Sequence, residues 1–340
     1  MICLPAFVIT ADLWVFKPDS ADSHLTNNYK PMQIQWYPGH MHKAGKEIRE
    51  TLPSIDVIIE VLDARIPFSS QNPLLAKLRA EKPCIKVLTK SDLADPDRTA
   101  EWQNYLERER GIKTLAVSTD YPERIRQLVD LCQKVLPRAP AVGKRTQALI
   151  MGIPNVGKST LINTLAGRVV AKAANEPAIT KHQQRINIGE SLVLLDTPGM
   201  LWPNIENRHS GYRLAVTGAV KDTAIDHLDI VLTAAGYLLR QYPDALRERY
   251  QLVSLPDHEQ ALLEAIGRFR GCLRAGGVVD LDKAAKILLM ELRSGVLGRI
   301  TLETPAMMEV ELVEVAKLRE EKEAKKLLRK KKFLGDQPRS

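Results

Sequence analysis

Apolar residues in this chain follow two kinds of pattern, and the change from one to the other divides it. Up to about residue 196, short, mostly apolar runs recur, at 57–62, 84–88, 147–151 and 191–195, with Glu60 and Lys86 the charged residues inside them. Runs of this length, rich in Val, Ile and Leu, read as strands buried on both faces. Residues 114–118 and 184–188 read as two further strands. Segments with helical spacing separate them, near 71–79, 96–109, 122–136 and 159–165. Such alternation predicts an α/β fold with a mostly parallel sheet covered on both faces. Beyond residue 205 the strand runs stop. Residues 228–242, 257–270 and 280–293 carry helical spacing, and 309–332 is a highly charged helix-like stretch. The expected organisation is an α/β domain over 32–204, a small all-helical domain over 205–305, and a basic helical or disordered tail over 306–340. Residues 1–31 stand apart at the N-terminus.

Three strand ends carry candidate chemistry. Gly152-Ile153-Pro154-Asn155-Val156-Gly157-Lys158-Ser159 fits the pattern G-x-x-x-x-G-K-[ST] between a strand and a helix. Glycines there let backbone N–H groups converge on phosphate oxygens, and the helix N-terminus adds positive charge. Asn155, Val156, Gly157, Lys158, Ser159 and Thr160 are the expected phosphate contacts. Lys158 is placed to reach the β- and γ-phosphates, and the Ser159 hydroxyl to ligate Mg²⁺. Asp196-Thr197-Pro198-Gly199 ends the run 191–195 as D-x-x-G. Asp196 can hold Mg²⁺ through water, and the Gly199 N–H can sense a γ-phosphate.

The third strand end reads a base. Thr89-Lys90-Ser91-Asp92 follows the run 84–88, at the end of a strand where ligands bind in open α/β sheets. Asp92 can accept from both the ring N–H and the exocyclic amine of guanine, a pair adenine does not offer. Charged hydrogen bonds of this kind are worth roughly 1.5–3 kcal/mol each, which favours GTP and GDP over adenine nucleotides. Thr89 stands where such motifs usually have Asn. Ser118, with Thr119 beside it, stands where a backbone N–H would meet guanine O6. The order of these motifs is unusual. Thr89 to Asp92 lies about sixty residues before the phosphate loop, whereas in a Ras-like domain the base motif comes last. The fold class expected is therefore a circularly permuted Ras-like P-loop GTPase domain, cut after its second switch, followed by the helical domain. Its old ends would be joined across residues 137–144, which carry Pro and Gly.

Further residues add a family likeness over about residues 32–300. They are Gln35-Trp36-Tyr37-Pro38-Gly39-His40-Met41 with Lys43-Ala44, Asp63-Ala64-Arg65-Ile66-Pro67, and Asn72-Pro73. Together with the permuted order, they resemble the circularly permuted GTPases of the YlqF type, the family of ribosome biogenesis GTPase A. The resemblance implies a GTP-hydrolysing assembly factor for the large ribosomal subunit. Such a protein binds the precursor particle and its rRNA in the GTP form, is stimulated by it, and leaves after hydrolysis. Met32 falls where such proteins usually begin, so residues 1–31 are an extension or a misassigned start.

The resemblance also bears on catalysis. Met200, Leu201 and Trp202 follow Gly199, and none of them orients a water. On residues alone, Trp36 to His40 reads as a packed turn; the resemblance implies instead that His40 is the catalytic, water-orienting group. Asn155 either makes a local turn bond or, as in similar GTPases, offers its oxygen to K⁺ beside the phosphates. Thr180, within Glu176-Pro177-Ala178-Ile179-Thr180-Lys181, is the expected first-switch ligand of Mg²⁺, with Ala178 where the family has Gly.

Composition fits this picture without proving it. The formal net charge is +8, and Lys and Arg crowd residues 325–332, which suits salt-sensitive contacts with an RNA backbone. A solvated tail that binds nothing is the plain alternative. The 4 cysteines show no C-x-x-C spacing, as expected of a reduced cytoplasmic protein without zinc. No run approaches ~20 uninterrupted apolar residues, so no membrane span is expected. A monomer is expected. Two other functions stay open: a GTP-gated RNA-binding module with negligible intrinsic hydrolysis, and a GTPase acting on another RNA.

Overall fold

Buried apolar runs do become the strands of one sheet. The structure, a computed structural model, describes residues 46–79, 81–138, 143–171, 184–202, 205–220 and 227–335. The strands are β1 (Val57–Asp63), β2 (Cys84–Thr89), β3 (Ile112–Ala116), β4 (Thr146–Gly152), β5 (Gln184–Ile188) and β6 (Leu192–Asp196). Their spatial order is β3-β2-β1-β4-β6-β5, and β5 alone runs antiparallel to its neighbour. β1, β2 and β6 are buried along their whole length, which requires cover on both faces. The crossover helices α1 (Pro73–Arg79), α2 (Pro96–Leu106), α3 (Pro122–Lys134) and α4 (Lys158–Ala166) provide it. α2 shows how local sequence starts such a helix: Asp95 accepts from the Asp97 and Arg98 N–H groups, and Pro96 opens the first turn.

The sheet is Ras-like in space and permuted in sequence. β4, which leads into the phosphate loop, is central although it is the fourth strand of the chain. β3 starts and ends two residues earlier than the run 114–118 suggests. Val117 has left the strand, yet its N–H still bonds Leu88 O at 2.8 Å. Cys84 and Cys132 are buried free thiols, and burial pushes both up to about 12.

The remaining elements are helices: α5 (Arg208–Val216), α6 (His227–Gln241), α7 (Pro243–Tyr250), α8 (Glu259–Phe269), α9 (Leu281–Ser294) and α10 (Pro305–Gly335). Apolar spacing foretells α6, α8 and α9, which pack on one another. It does not foretell α5 or α7. α5 opens on Arg208-His209-Ser210 behind an Asn207 cap and buries the charged Arg213. α7 buries only Leu246 and Tyr250.

The segment from residue 306 does not begin as a loose tail. Met308 on α10 joins a buried cluster with Leu62, Leu88 and Trp102. Glu311 and Val315 are buried as well, and the helix becomes mostly exposed only beyond them. A buried ion network fastens this seam. Glu303 accepts from Ser69 N at 2.9 Å, from Ser69 Oγ, and from Arg213 Nη1 at 3.3 Å. Arg213 also grips Glu311 with both terminal nitrogens, at 2.9 and 2.5 Å. Burial drives the Glu303 carboxyl above its ordinary range despite Arg213. Burial pushes Glu311 the same way, but Arg213 and Asn207 outweigh it and hold the carboxyl low.

Candidate nucleotide site

The phosphate loop takes its shape from its glycines. A Cβ on Gly152 would lie 2.7 Å from Val61 O on β1, so no side chain fits there. Gly157 sits at φ 93° and caps α4 without a side-chain bond. The first-turn N–H groups of α4 are thereby left to an outside acceptor, which is how such a loop takes phosphate. Ser159 and Thr160 lie half-buried in that turn.

Lys158 is buried and pairs with the Asp196 carboxylate through Oδ1. Asp196 is fully buried at the end of β6, and its Oδ2 has no partner among the described residues. Burial raises the Asp196 carboxyl, and Lys158 only partly offsets this. A buried carboxylate oxygen beside a lysine, next to the Ser159 turn, is an all-oxygen donor set that suits Mg²⁺. Gly199 lies against the loop, where a Cβ would come within 3.1 Å of Pro154 backbone atoms. Met200 N bonds Gly152 O at 3.1 Å, and Asn72 Nδ2 donates to Met200 O at 3.2 Å. Asn72 of the Asn72-Pro73 pair thus braces the second switch. Met200 and Leu201 are both core residues.

The base motif is tied to the loop through β1. Parallel register sets Asp63 beside Thr89 on one flank, and Val61 beside Gly152 on the other. Lys90, at φ 56°, donates from Nζ to Asp63 Oδ2 at 2.9 Å and to Asn155 O at 2.7 Å. Arg65 grips the same carboxylate through Nε at 2.9 Å and Nη2 at 2.7 Å. Burial alone would raise the Asp63 carboxyl, but Arg65 and Lys90 outweigh it and hold it far below the ordinary range. Burial lowers Lys90, and Asp63 works against that. Thr89 Oγ1 faces Leu62 O and Val156 O, so the hydroxyl fastens the motif to the loop where Asn is usual. Asp92 is half-buried, Ser118 is buried and Thr119 is exposed at the same end of the sheet. Ser118 Oγ accepts from Asp120 N at 3.1 Å.

Two expected site residues, His40 and Thr180, lie outside the described residues. Asn155, at φ 58°, turns its Nδ2 to Gly218 O at 2.8 Å, linking the loop to the turn after α5. The roles of Asp63 and Arg65 were not readable from sequence. Their signal was the Asp63-Ala64-Arg65-Ile66-Pro67 motif, which marks the family likeness without saying that Arg65 and Lys90 would share the Asp63 carboxylate.

A phosphate loop on the central strand, a lysine–aspartate pair beside it and a base motif two strands away define a P-loop GTPase with permuted chain order. Residues 147–252 match the family model described as 50S ribosome-binding GTPase. Ribosome biogenesis GTPase A of Priestia megaterium is 44% identical over 283 residues, covering 81% of this chain and 98% of that one. The chain belongs to the ribosome biogenesis GTPase A family. Mitochondrial ribosome-associated GTPase 1 of Mus musculus is 36% identical over 300 residues, covering 79% and 90%. The crystal structure of GNP-bound YlqF from T. maritima matches with a TM-score of 0.53 at 26% identity, covering 77% and 98%. A GDP-bound YlqF structure matches with a TM-score of 0.55 at 27% identity, covering 76% and 99%.

Proposed function

We propose that this GTPase binds GTP with Mg²⁺ at the carboxyl ends of β2, β4 and β6 and acts in assembly of the large ribosomal subunit. It engages the precursor particle and its rRNA in the GTP form, hydrolyses GTP in response, and leaves as the GDP form. The observation that carries the site is the buried Lys158–Asp196 pair, with Asp196 Oδ2 otherwise unpartnered among the described residues. The names of the relatives carry the ribosomal part. A net charge of +8 and the basic end of α10 fit contact with rRNA.

Each role follows from chemistry. Lys158 and the N–H groups from Asn155 to Thr160 orient the phosphates, and Gly199 senses the third. Ser159, Thr180 and Asp196 would hold Mg²⁺, which neutralises phosphate charge in such enzymes. Thr89, Lys90, Asp92, Ser118 and Thr119 read guanine. His40, by resemblance to the family, orients the attacking water, a task for which the buried, apolar Met200 and Leu201 after Gly199 are unsuited. Asn155 takes K⁺ beside the phosphates. The sheet-bearing part, 32–204, does the chemistry, and the helical part, 205–305, meets RNA. No helix among the described residues is long and apolar enough to cross a membrane. A cytoplasmic monomer is the form we propose.

A second reading, a GTP-gated module with negligible hydrolysis, is favoured by the buried Met200 and Leu201. Multiple-turnover hydrolysis with and without large-subunit precursors separates the two. Particle-stimulated turnover that His40→Ala lowers, with GTP binding intact, supports the first. Turnover that no particle stimulates supports the second, and wild-type turnover in His40→Ala removes His40 from catalysis. Replacing K⁺ by Na⁺ in the same assay tests Asn155. Co-sedimentation with precursors in a GTP analogue but not in GDP is the expected particle result; none in either state points to another RNA.

A further inference from the structure

The helical part of the chain returns to the nucleotide domain along the base-reading loop. Residues 298–304, between α9 and α10, form neither helix nor strand. They lie as a strap against residues 92–95. Arg299 Nε donates to Asp92 O at 3.1 Å. Ile300 N donates to Leu93 O at 2.9 Å. Asp95 N donates to Thr301 Oγ1 at 3.1 Å. Tyr242, between α6 and α7, accepts from Thr301 N at 3.1 Å and places its hydroxyl 3.1 Å from Asp95 Oδ2. Leu93 packs on Gly295, where a Cβ would come within 2.7 Å of it. One residue further on, Leu302 N donates to Arg65 O at 2.8 Å, beside the Asp63–Lys90 pair.

Three of the four loop residues 92–95, namely Asp92, Leu93 and Asp95, are thus held by a segment more than two hundred positions away in sequence. This holding bears on the chemistry of Asp92. A carboxylate reads both donors of guanine only if its two oxygens face the base edge together. A loop that is already fixed loses less freedom when the base arrives, and the preorganised geometry favours binding.

We propose that Arg299 and Thr301 are positioning residues for guanine recognition, aligning the Asp92 carboxylate through the loop backbone. The proposal rests on the assignment of Asp92 as the guanine reader. A seam that only stabilises the fold makes a different prediction: changes in it lower stability and leave base discrimination alone.

The discriminating measurement is the ratio of GDP to inosine diphosphate affinity, by calorimetry on the full chain. Inosine lacks the exocyclic amine, so the phosphate grip cancels and the ratio reads how well Asp92 meets that amine. Wild type, Arg299→Met, Thr301→Val and Asp92→Asn are compared. Arg299 is exposed, so its variant should fold, and Val matches the shape of the buried Thr301. We expect each strap variant to lower the ratio about 3- to 10-fold, the scale of one net hydrogen bond. A wild-type ratio in both strap variants, with the ratio collapsed in Asp92→Asn, overturns the proposal alone. An unchanged ratio in Asp92→Asn overturns the guanine assignment and the proposal with it.

Discussion

Replacing Arg213 by Met should unfasten the C-terminal seam, and the structure sets the scale. The guanidinium makes two bonds to Glu311 and one to Glu303, and donates from Nε to Leu302 O at 3.1 Å. Arg213 keeps 10% of its side chain exposed, Glu303 none and Glu311 9%, so water replaces little. Removing one member of a buried ion group and stranding its partners costs about 3–5 kcal/mol. The pH dependence has a definite sign. In the wild type Glu311 is held below the ordinary glutamate value of 4.5. Arg213 therefore adds stability above that value which is lost as pH falls through the depressed one. In the variant Glu303 and Glu311 are both pushed upward. Glu303 is already raised in the wild type, so only the interval between the wild-type and variant position of each carboxyl narrows the deficit, by up to about 1.4 kcal/mol per pH unit. The deficit of the variant should be full near pH 7.5 and shrink toward pH 5. Urea unfolding of both proteins at the two pH values measures it. Trp102 is a convenient reporter, since its Nε1 donates to Glu303 O at 3.0 Å. A loss below ~1 kcal/mol at pH 7.5, or one that grows on acidification, would refute the reasoning.

Lys158→Ala and Ser159→Ala should abolish tight GTP–Mg²⁺ binding while the protein stays folded; unaltered nucleotide titrations would contradict the site. Asp92→Asn should move preference from guanine toward xanthine nucleotides, because xanthine offers an acceptor where guanine has its amine; comparable GDP and ADP affinities in the wild type would sink the base assignment. Deleting residues 321–340 removes eight Lys and Arg against three Asp and Glu. Particle binding should weaken and its salt slope flatten by ~0.7–0.9 per lost phosphate contact, with nucleotide affinity intact. Deleting from residue 306 should add a fold defect, since Met308, Glu311 and Val315 go too; equal melting temperatures for the two truncations would argue otherwise.

What the sequence disclosed was local. Strand runs, the phosphate loop and the order of motifs depend on neighbouring residues, and spacing alone located them. Helices with a continuous apolar stripe were equally plain. The pairing of Arg213 with Glu303 and Glu311 spans about a hundred residues, and no periodicity marks it. The strap at 298–304 has no regular structure, so it offered no pattern to read. α10 was legible as a charged helix, but not its seat on the core: the buried positions, Met308, Glu311 and Val315, are few and one is charged, so no apolar stripe marked them.

The chain leaves the nucleotide domain just after Gly199 and comes back beside Asp92. One departure point touches the phosphate end of the site and the return touches the base end. A body sewn down at both ends is no pendulum. Any displacement of it draws on one seam or twists both. A nucleotide gripped by the phosphate loop and by Asp92 would span the same two anchorages from inside. It and the helical layer would then be parallel members of one frame, and a load on either would be shared by the other.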